Sequence, residues 1–135
     1  MKAEKFKLLY VDDEEANLRV FKNAFGREFI VFTASSGKEG LVILDEEDID
    51  LVITDQKMPE MTGMEFLREV KKKIPFIPPN RLVISAYAEQ DIIDEAYDTY
   101  DVFRFVSKPW KRDELKAVID DAIKEKSDLD EDYKI

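Results

Sequence analysis

Two runs, Phe6–Val11 and Leu51–Thr54, are short, predominantly apolar and rich in β-branched or aromatic residues. That pattern is expected of strands buried on both faces of a parallel sheet. Phe29–Ala34, Arg81–Ile84 and Val102–Val106 are three further candidate strands. In the gaps the apolar period changes to that of an amphipathic helix: Leu18, Phe21 and Phe25 in the first, Leu67 and Val70 in the third, and Leu115, Val118, Ile119, Ala122 and Ile123 after the last strand. From Leu41 to Leu44 the pattern is shorter and weaker. Ser36 with Glu39 and Thr62 with Glu65 have the spacing of a capping box, and Gly26 sits where the first helix should stop.

Strands alternating with helices make a βαβ series, and right-handed crossovers wind such a series into a parallel sheet covered on both sides. The expected class is therefore α/β, a doubly wound five-stranded parallel sheet in a single domain over residues 1–126. Ile74-Pro75-Phe76-Ile77-Pro78-Pro79 cannot form helix interior and is expected to be an extended connection. Residues 127–135 are acidic with few apolar positions, and are expected to be a disordered tail or the start of a linker.

In doubly wound sheets the ligand crevice lies beyond the carboxyl ends of the strands. The first strand is followed by Asp12 and Asp13 and the third by Asp55, so three carboxylates converge if those strands are neighbours. Such groups repel and raise one another's pKa unless a cation sits among them, and an all-oxygen ligand set suits Mg²⁺. Asp12 or Asp13 alone would also serve as an ordinary helix cap, but capping does not account for Asp55. Lys108 follows the last strand and precedes Pro109, placing an ammonium within reach of an anion in the crevice. Ser85, at the end of the fourth strand, is either a hydrogen-bond donor to such an anion or a cap for the helix after it.

Composition narrows the chemistry. The 135 residues, 44% of them apolar, suffice for one domain with a core. Histidine and cysteine are both absent, so general-base, thiolate and disulfide chemistry must be sought elsewhere. The net charge of −10 lacks the basic footprint that nucleic-acid binding requires. No signal peptide stands at Met1–Lys7, and no stretch approaches the roughly 20 apolar residues of a membrane span. A cytoplasmic location, with no membrane and no nucleic-acid partner for this domain, is the expectation.

Taken together, Asp12-Asp13, the run from Thr54 through Asp55-Gln56-Lys57-Met58-Pro59 to Gly63, Ser85-Ala86 and Lys108-Pro109 resemble the response regulator receiver family of two-component signalling. The resemblance covers roughly residues 6–125 and implies a flavodoxin-like fold. It implies that Asp55 is the phosphorylation site, and that Asp12, Asp13, Asp55 and the backbone carbonyl of Lys57 hold Mg²⁺. It also makes Lys108 a partner of the phosphoryl group and Ser85 a hydroxyl switch. Lys57 and Tyr87 occupy the positions that flank the hydrolytic water and influence phosphate lifetime. Phe105 takes the place of the aromatic rotamer switch and, without a phenolic hydroxyl, cannot switch through a side-chain hydrogen bond. As an alternative it is a plain core phenylalanine.

The resemblance further implies a cognate histidine kinase or phosphotransfer protein as donor, and a downstream output domain or protein as receiver of the signal. The signalling face would be the fourth helix, fifth strand and fifth helix, where Asp91, Asp94, Glu95, Asp98 and Asp101 form an acidic side that would favour a basic partner. Such a run is usually a solvated face, and dimerisation through it has no support in the sequence. Trp110 is read as an anchor for the last helix. The chain is expected to be no enzyme beyond its own phosphorylation and dephosphorylation, either a stand-alone regulator or a domain of a longer protein. Two rivals are a phosphate-independent docking module and a haloacid-dehalogenase-like phosphatase. The latter needs an Asp-x-Asp that neither Asp12-Asp13 nor Asp55-Gln56-Lys57 supplies.

Overall fold

The computed structural model describes residues 5–73, 80–86 and 88–132, with side chains through residue 125. The elements alternate: β1 (Lys7–Val11), α1 (Glu15–Phe25), β2 (Ile30–Ala34), α2 (Gly37–Glu46), β3 (Leu51–Thr54), α3 (Gly63–Lys73), β4 (Arg81–Ser85), α4 (Gln90–Tyr100), β5 (Arg104–Ser107) and α5 (Arg112–Asp132). All four strand pairings are parallel, and the order across the sheet is β2-β1-β3-β4-β5. The expected doubly wound α/β fold is the one observed. The proline-rich connection and Tyr87 lie outside the described residues.

Burial on both faces explains the apolar strands. Along β1, Leu8 and Tyr10 point into one core while Leu9 and Val11 point into the other. The first core is closed by Leu18, Phe21 and Phe25 of α1 and by Leu115, Ile119, Ala122 and Ile123 of α5. Phe66, Leu67 and Val70 of α3 with Ala96 and Tyr100 of α4 close the second. Strands sharing this pattern cannot slip by one residue without exchanging the two side-chain sets between faces.

The helix starts follow local chemistry. Thr62 and Glu65 form a reciprocal capping box: the Glu65 N–H donates to Thr62 Oγ1 at 3.2 Å and the Thr62 N–H to Glu65 Oε1 at 3.0 Å. At α2 only half the box closes on the cap. The Glu39 N–H donates to Ser36 Oγ at 3.1 Å, but the Glu39 carboxylate accepts from Ser35, not Ser36. Gly26 ends α1 as expected, with its N–H bonded to the Lys22 carbonyl.

Two expectations shift. The fifth strand begins at Arg104 rather than Val102, because Asp101 adopts a left-handed conformation (φ 56°) that ends α4 and sends the Val102 N–H back to the Ala96 carbonyl. The backbone of α5 stays helical past residue 126 to Asp132. Ser, Asp, Leu and Glu there include no glycine or proline to stop a helix, so sparse apolar content did not end it.

Candidate functional site

The register between β1 and β3 brings the carboxylates together. Val11 is paired with Thr54, so Asp12 and Asp55 leave adjacent strand ends side by side, tied by a 2.9 Å bond from the Asp55 N–H to the Val11 carbonyl. On the other side the Asp12 N–H donates to Ala34 at 3.1 Å. One carboxylate oxygen from each of Asp12, Asp13 and Asp55 falls within 4.8 Å of the other two. Asp12 and Asp55 are buried and Asp13 is exposed. The trio sits where β1 connects outward to β2 on one side and pairs with β3 on the other, which is the reversal point of this sheet.

Asp12 is thoroughly coordinated by protein donors. Its Oδ2 accepts from the Tyr10 hydroxyl at 2.6 Å, Asn17 Nδ2 at 3.1 Å and Lys108 Nζ at 3.0 Å, while Oδ1 accepts the Glu14 N–H at 3.0 Å. Burial alone would raise its pKa, but the bonds from Tyr10, Glu14 and Lys108 outweigh burial and hold it below the ordinary aspartate value. Asp55 differs. Burial raises its pKa, the charge of Asp12 adds to the rise, and Lys108 and the Gln56 N–H oppose without cancelling it. Asp55 is therefore the carboxylate with most to gain from another positive charge.

Lys108 lies between the two, with Nζ 3.0 Å from Asp12 and 3.5 Å from Asp55. Burial works against its charge, yet the hydrogen bond to Asp12 and the charges of both carboxylates raise its pKa. Its backbone N–H donates to the Ser85 carbonyl at 2.9 Å, continuing the β4–β5 pairing in which Ser85 faces Ser107. Ser85 is buried at the end of β4 and does not cap α4, which starts at Gln90 with Glu89 in the cap position. The Lys108–Pro109 bond is cis. Trp110 packs against Phe21 and Phe25 of α1, with ring centroids at 6.3 and 5.8 Å. It thus anchors the start of α5 as expected.

The loop after Asp55 is held by contacts that motif spacing does not reveal. The Gln56 side chain accepts the Met64 N–H at 2.9 Å, and the Gly63 N–H donates to the Gln56 carbonyl at 2.9 Å. A Cβ on Gly63 would lie 2.3 Å from the Asp55 carbonyl oxygen, so the close approach of α3 to the loop after Asp55 needs glycine there. Lys57 is exposed and, with Gln56, Ala88, Glu89 and Ile92, lines a cleft between this loop and the start of α4.

Phe105 is half-buried against the second core, and its backbone N–H donates to the Tyr97 hydroxyl of α4 at 2.8 Å. Along α4, Asp91, Asp94 and Asp98 are exposed and Glu95 is half-buried, and Asp101 just beyond is exposed. Tyr10, Asn17, Gln56 and Tyr97 escaped the sequence reading. Tyr10 carries a weak signal, being a hydroxyl two residues before Asp12 and so on the same side of the strand. The rest depend on tertiary placement.

As a metal site the trio offers oxygen ligands only, two of them buried and one of these, Asp55, raised in pKa by burial and, to a lesser degree, by the neighbouring carboxylate, which fits a hard divalent cation such as Mg²⁺. No described helix is long and apolar enough to cross a membrane.

Comparison with known proteins agrees with this geometry. The family model for the response regulator receiver domain matches residues 8–120. The chain is 40% identical to the transcriptional regulatory protein GlrR of Escherichia coli over 87% of its own length and 26% of that protein. It is 34% identical to the sporulation initiation phosphotransferase F of Bacillus subtilis, over 84% of the chain and 90% of the relative. A crystal structure of a response regulator receiver domain protein from Clostridium thermocellum superimposes with a TM-score of 0.83 at 35% identity, covering 92% of this chain and 98% of that one. The chain spans about a quarter of the length of the curated transcriptional regulators it matches, at 24% and 26%. The paired strand-end aspartates, the lysine that joins them and the match across nearly all of the sheet establish that this chain belongs to the response regulator receiver domain family.

Proposed function

We propose that the chain accepts a phosphoryl group on Asp55 from a phosphohistidine of a cognate kinase or phosphotransfer protein, in a reaction that requires Mg²⁺. The observation that carries this is the trio of carboxylates within 4.8 Å with Lys108 set between Asp12 and Asp55. An oxygen of the Asp55 carboxylate forms the new bond to phosphorus as the phosphorus–nitrogen bond to the donor histidine breaks and its electron pair returns to the ring. Asp12, Asp13, Asp55 and the Lys57 carbonyl would hold Mg²⁺, which supplies positive charge to offset that of the incoming group. Lys108 contributes a second cation. The chain needs no histidine of its own, because the donor brings it.

Ser85, buried at the β4 end, would turn toward the phosphoryl oxygens and draw the start of α4 with it. Phe105 and the α4–β5–α5 face would follow, and that acidic face suits a basic surface on an output domain or protein. The cleft beside Lys57 lies where water would approach the acyl phosphate, and Lys57 with Tyr87 would set its lifetime. Residues 1–126 would be the phosphoacceptor unit and 127–135 a tail or linker, working in the cytoplasm with catalysis confined to its own modification.

Intact-mass spectrometry after incubation with acetyl phosphate and Mg²⁺ tests the reading. One added phosphoryl group in the wild type, absent with EDTA and in Asp55→Asn, is the expected result. A folded, Mg²⁺-binding protein that gains nothing from acetyl phosphate or from a phosphohistidine donor would instead be a docking module.

A further inference from the structure

We infer that the Tyr97 hydroxyl is a latch that holds α4 on the open edge of β5, and that phosphorylation of Asp55 releases it. The inference rests on the phosphoacceptor reading above and concerns what holds the signalling face in its resting state. β5 ends the sheet, beyond β4. The N–H groups of successive residues alternate between the two sides of a strand, and the Lys108 N–H faces β4, where it donates to the Ser85 carbonyl. The Phe105 N–H therefore faces away from β4, where an edge strand ordinarily offers its groups to water or to another chain. Here it donates to the Tyr97 hydroxyl at 2.8 Å. Phe105 has no hydroxyl of its own, so this bond from its backbone is a polar link between β5 and α4.

The latch sits near a fixed end of α4. Arg81, buried at the start of β4, donates from Nη1 to the Tyr100 carbonyl at 3.1 Å, and Lys71 of α3 donates to the Thr99 carbonyl at 2.6 Å. Both cations also face the Asp101 carboxylate, at 3.7 and 4.0 Å. Positive charge is favourable at a helix C-terminus. At the other end Glu89, in the cap position, makes no side-chain cap bond. A pull on α4 thus swings its start about its end. Ser85 ends β4 and Asp55 follows β3, so a pull toward a phosphoryl group on Asp55 runs away from the β5 edge. At about 1.5 Å of rise per residue, Tyr97 lies about 4.5 Å from Tyr100 along the helix and Gln90 about 15 Å. A shift of about 2 Å at Gln90, ordinary for a helix that changes state, carries Tyr97 about 0.6 Å. That takes the 2.8 Å bond past the roughly 3.2 Å at which N–H···O bonds end. The latch opposes the shift until the phosphoryl group overcomes it.

Amide exchange and affinity for a phosphoryl mimic, read on the wild type and on Tyr97→Phe, test this. The variant keeps the ring and removes only the hydroxyl. In the metal-free proteins the Phe105 amide should exchange about tenfold faster in Tyr97→Phe, with the amides of β1 unchanged. Beryllium trifluoride with Mg²⁺, a mimic of a phosphoryl group on aspartate, should bind Tyr97→Phe about two- to tenfold more tightly, because a bond made only in the resting state weakens whatever breaks it. Loading the wild type with the mimic or with a phosphoryl group should speed exchange at Phe105. An unchanged Phe105 rate in Tyr97→Phe, equal affinities in the two proteins, or a Phe105 amide still protected after loading would overturn the inference. A wild type that takes neither the mimic nor a phosphoryl group, beside a Phe105 amide freed by the substitution, would refute the phosphoacceptor reading and leave Tyr97 as a fixed tie between α4 and β5.

Discussion

Replacing Gly63 with alanine adds one carbon at the tightest backbone approach beside the acceptor. That carbon would stand 2.3 Å from the Asp55 carbonyl oxygen and 3.0 Å from Gln56 Cα, both backbone atoms that no side-chain rotation can move. Reaching ordinary contact, which begins near 3.4 Å, needs a displacement of about 1 Å. Either the Asp55–Gln56 segment moves, or the start of α3 lifts and the Gly63 N–H bond to Gln56 is lost. A 1 Å misplacement costs about 10²-fold in rate, which corresponds to about 2.7 kcal/mol of barrier. Overpacking of this kind also costs roughly 1–3 kcal/mol of stability, or roughly 3–9 °C in midpoint for a chain of this size. The assay is an intact-mass time course with acetyl phosphate and Mg²⁺, run beside calorimetry on the same samples. Wild-type rate and wild-type midpoint together in Gly63→Ala would refute the argument that this approach positions Asp55.

Thr62→Ala removes the reciprocal cap of α3 and should cost about 1 kcal/mol in thermal denaturation; Glu65→Ala added to it should cost little more, since both bonds belong to one box. Mg²⁺ affinity, followed through the fluorescence of Trp110, should fall as pH is lowered from neutrality. The pKa of Asp55 lies above the ordinary aspartate value, so its proton competes with the metal at a higher pH than for a free carboxylate. Affinity that holds constant until the ordinary carboxylate range is reached would contradict that ordering. For Asp12 the sign is opposite: its pKa is held below the unfolded value, so its contribution to stability persists above that value and is lost as pH falls through the folded one. Asp12→Asn should therefore flatten the acid limb of a stability–pH curve, and an unaltered limb would count against it. Lys108→Ala should slow phosphoryl uptake and reduce any change in amide exchange over Gln90–Tyr100 on phosphorylation. An exchange response equal to that of the wild type would show that the signal passes without the lysine.

The strand runs, the helical periodicities and the strand-end positions of Asp12, Asp13, Asp55, Ser85 and Lys108 were legible in the sequence, because period and position along a chain are one-dimensional quantities. The alternation of elements was enough to imply a doubly wound sheet, since right-handed crossovers leave few other windings. Ends of elements were less legible: β5 starts two residues later than its apolar run because Asp101 turns the chain, and α5 continues through a polar segment that nothing interrupts. What only the tertiary structure decided is which strands are neighbours and in what register. Pairing Val11 with Thr54 is what sets Asp12 beside Asp55, and packing Tyr10 on Phe21 is what aims its hydroxyl at Asp12. Asn17 at Asp12, Gln56 at the start of α3 and Tyr97 at Phe105 are likewise contacts between separate elements. A sequence lists such residues without their partners, because hydrogen bonds and burial depend on distances that exist only once the elements have packed.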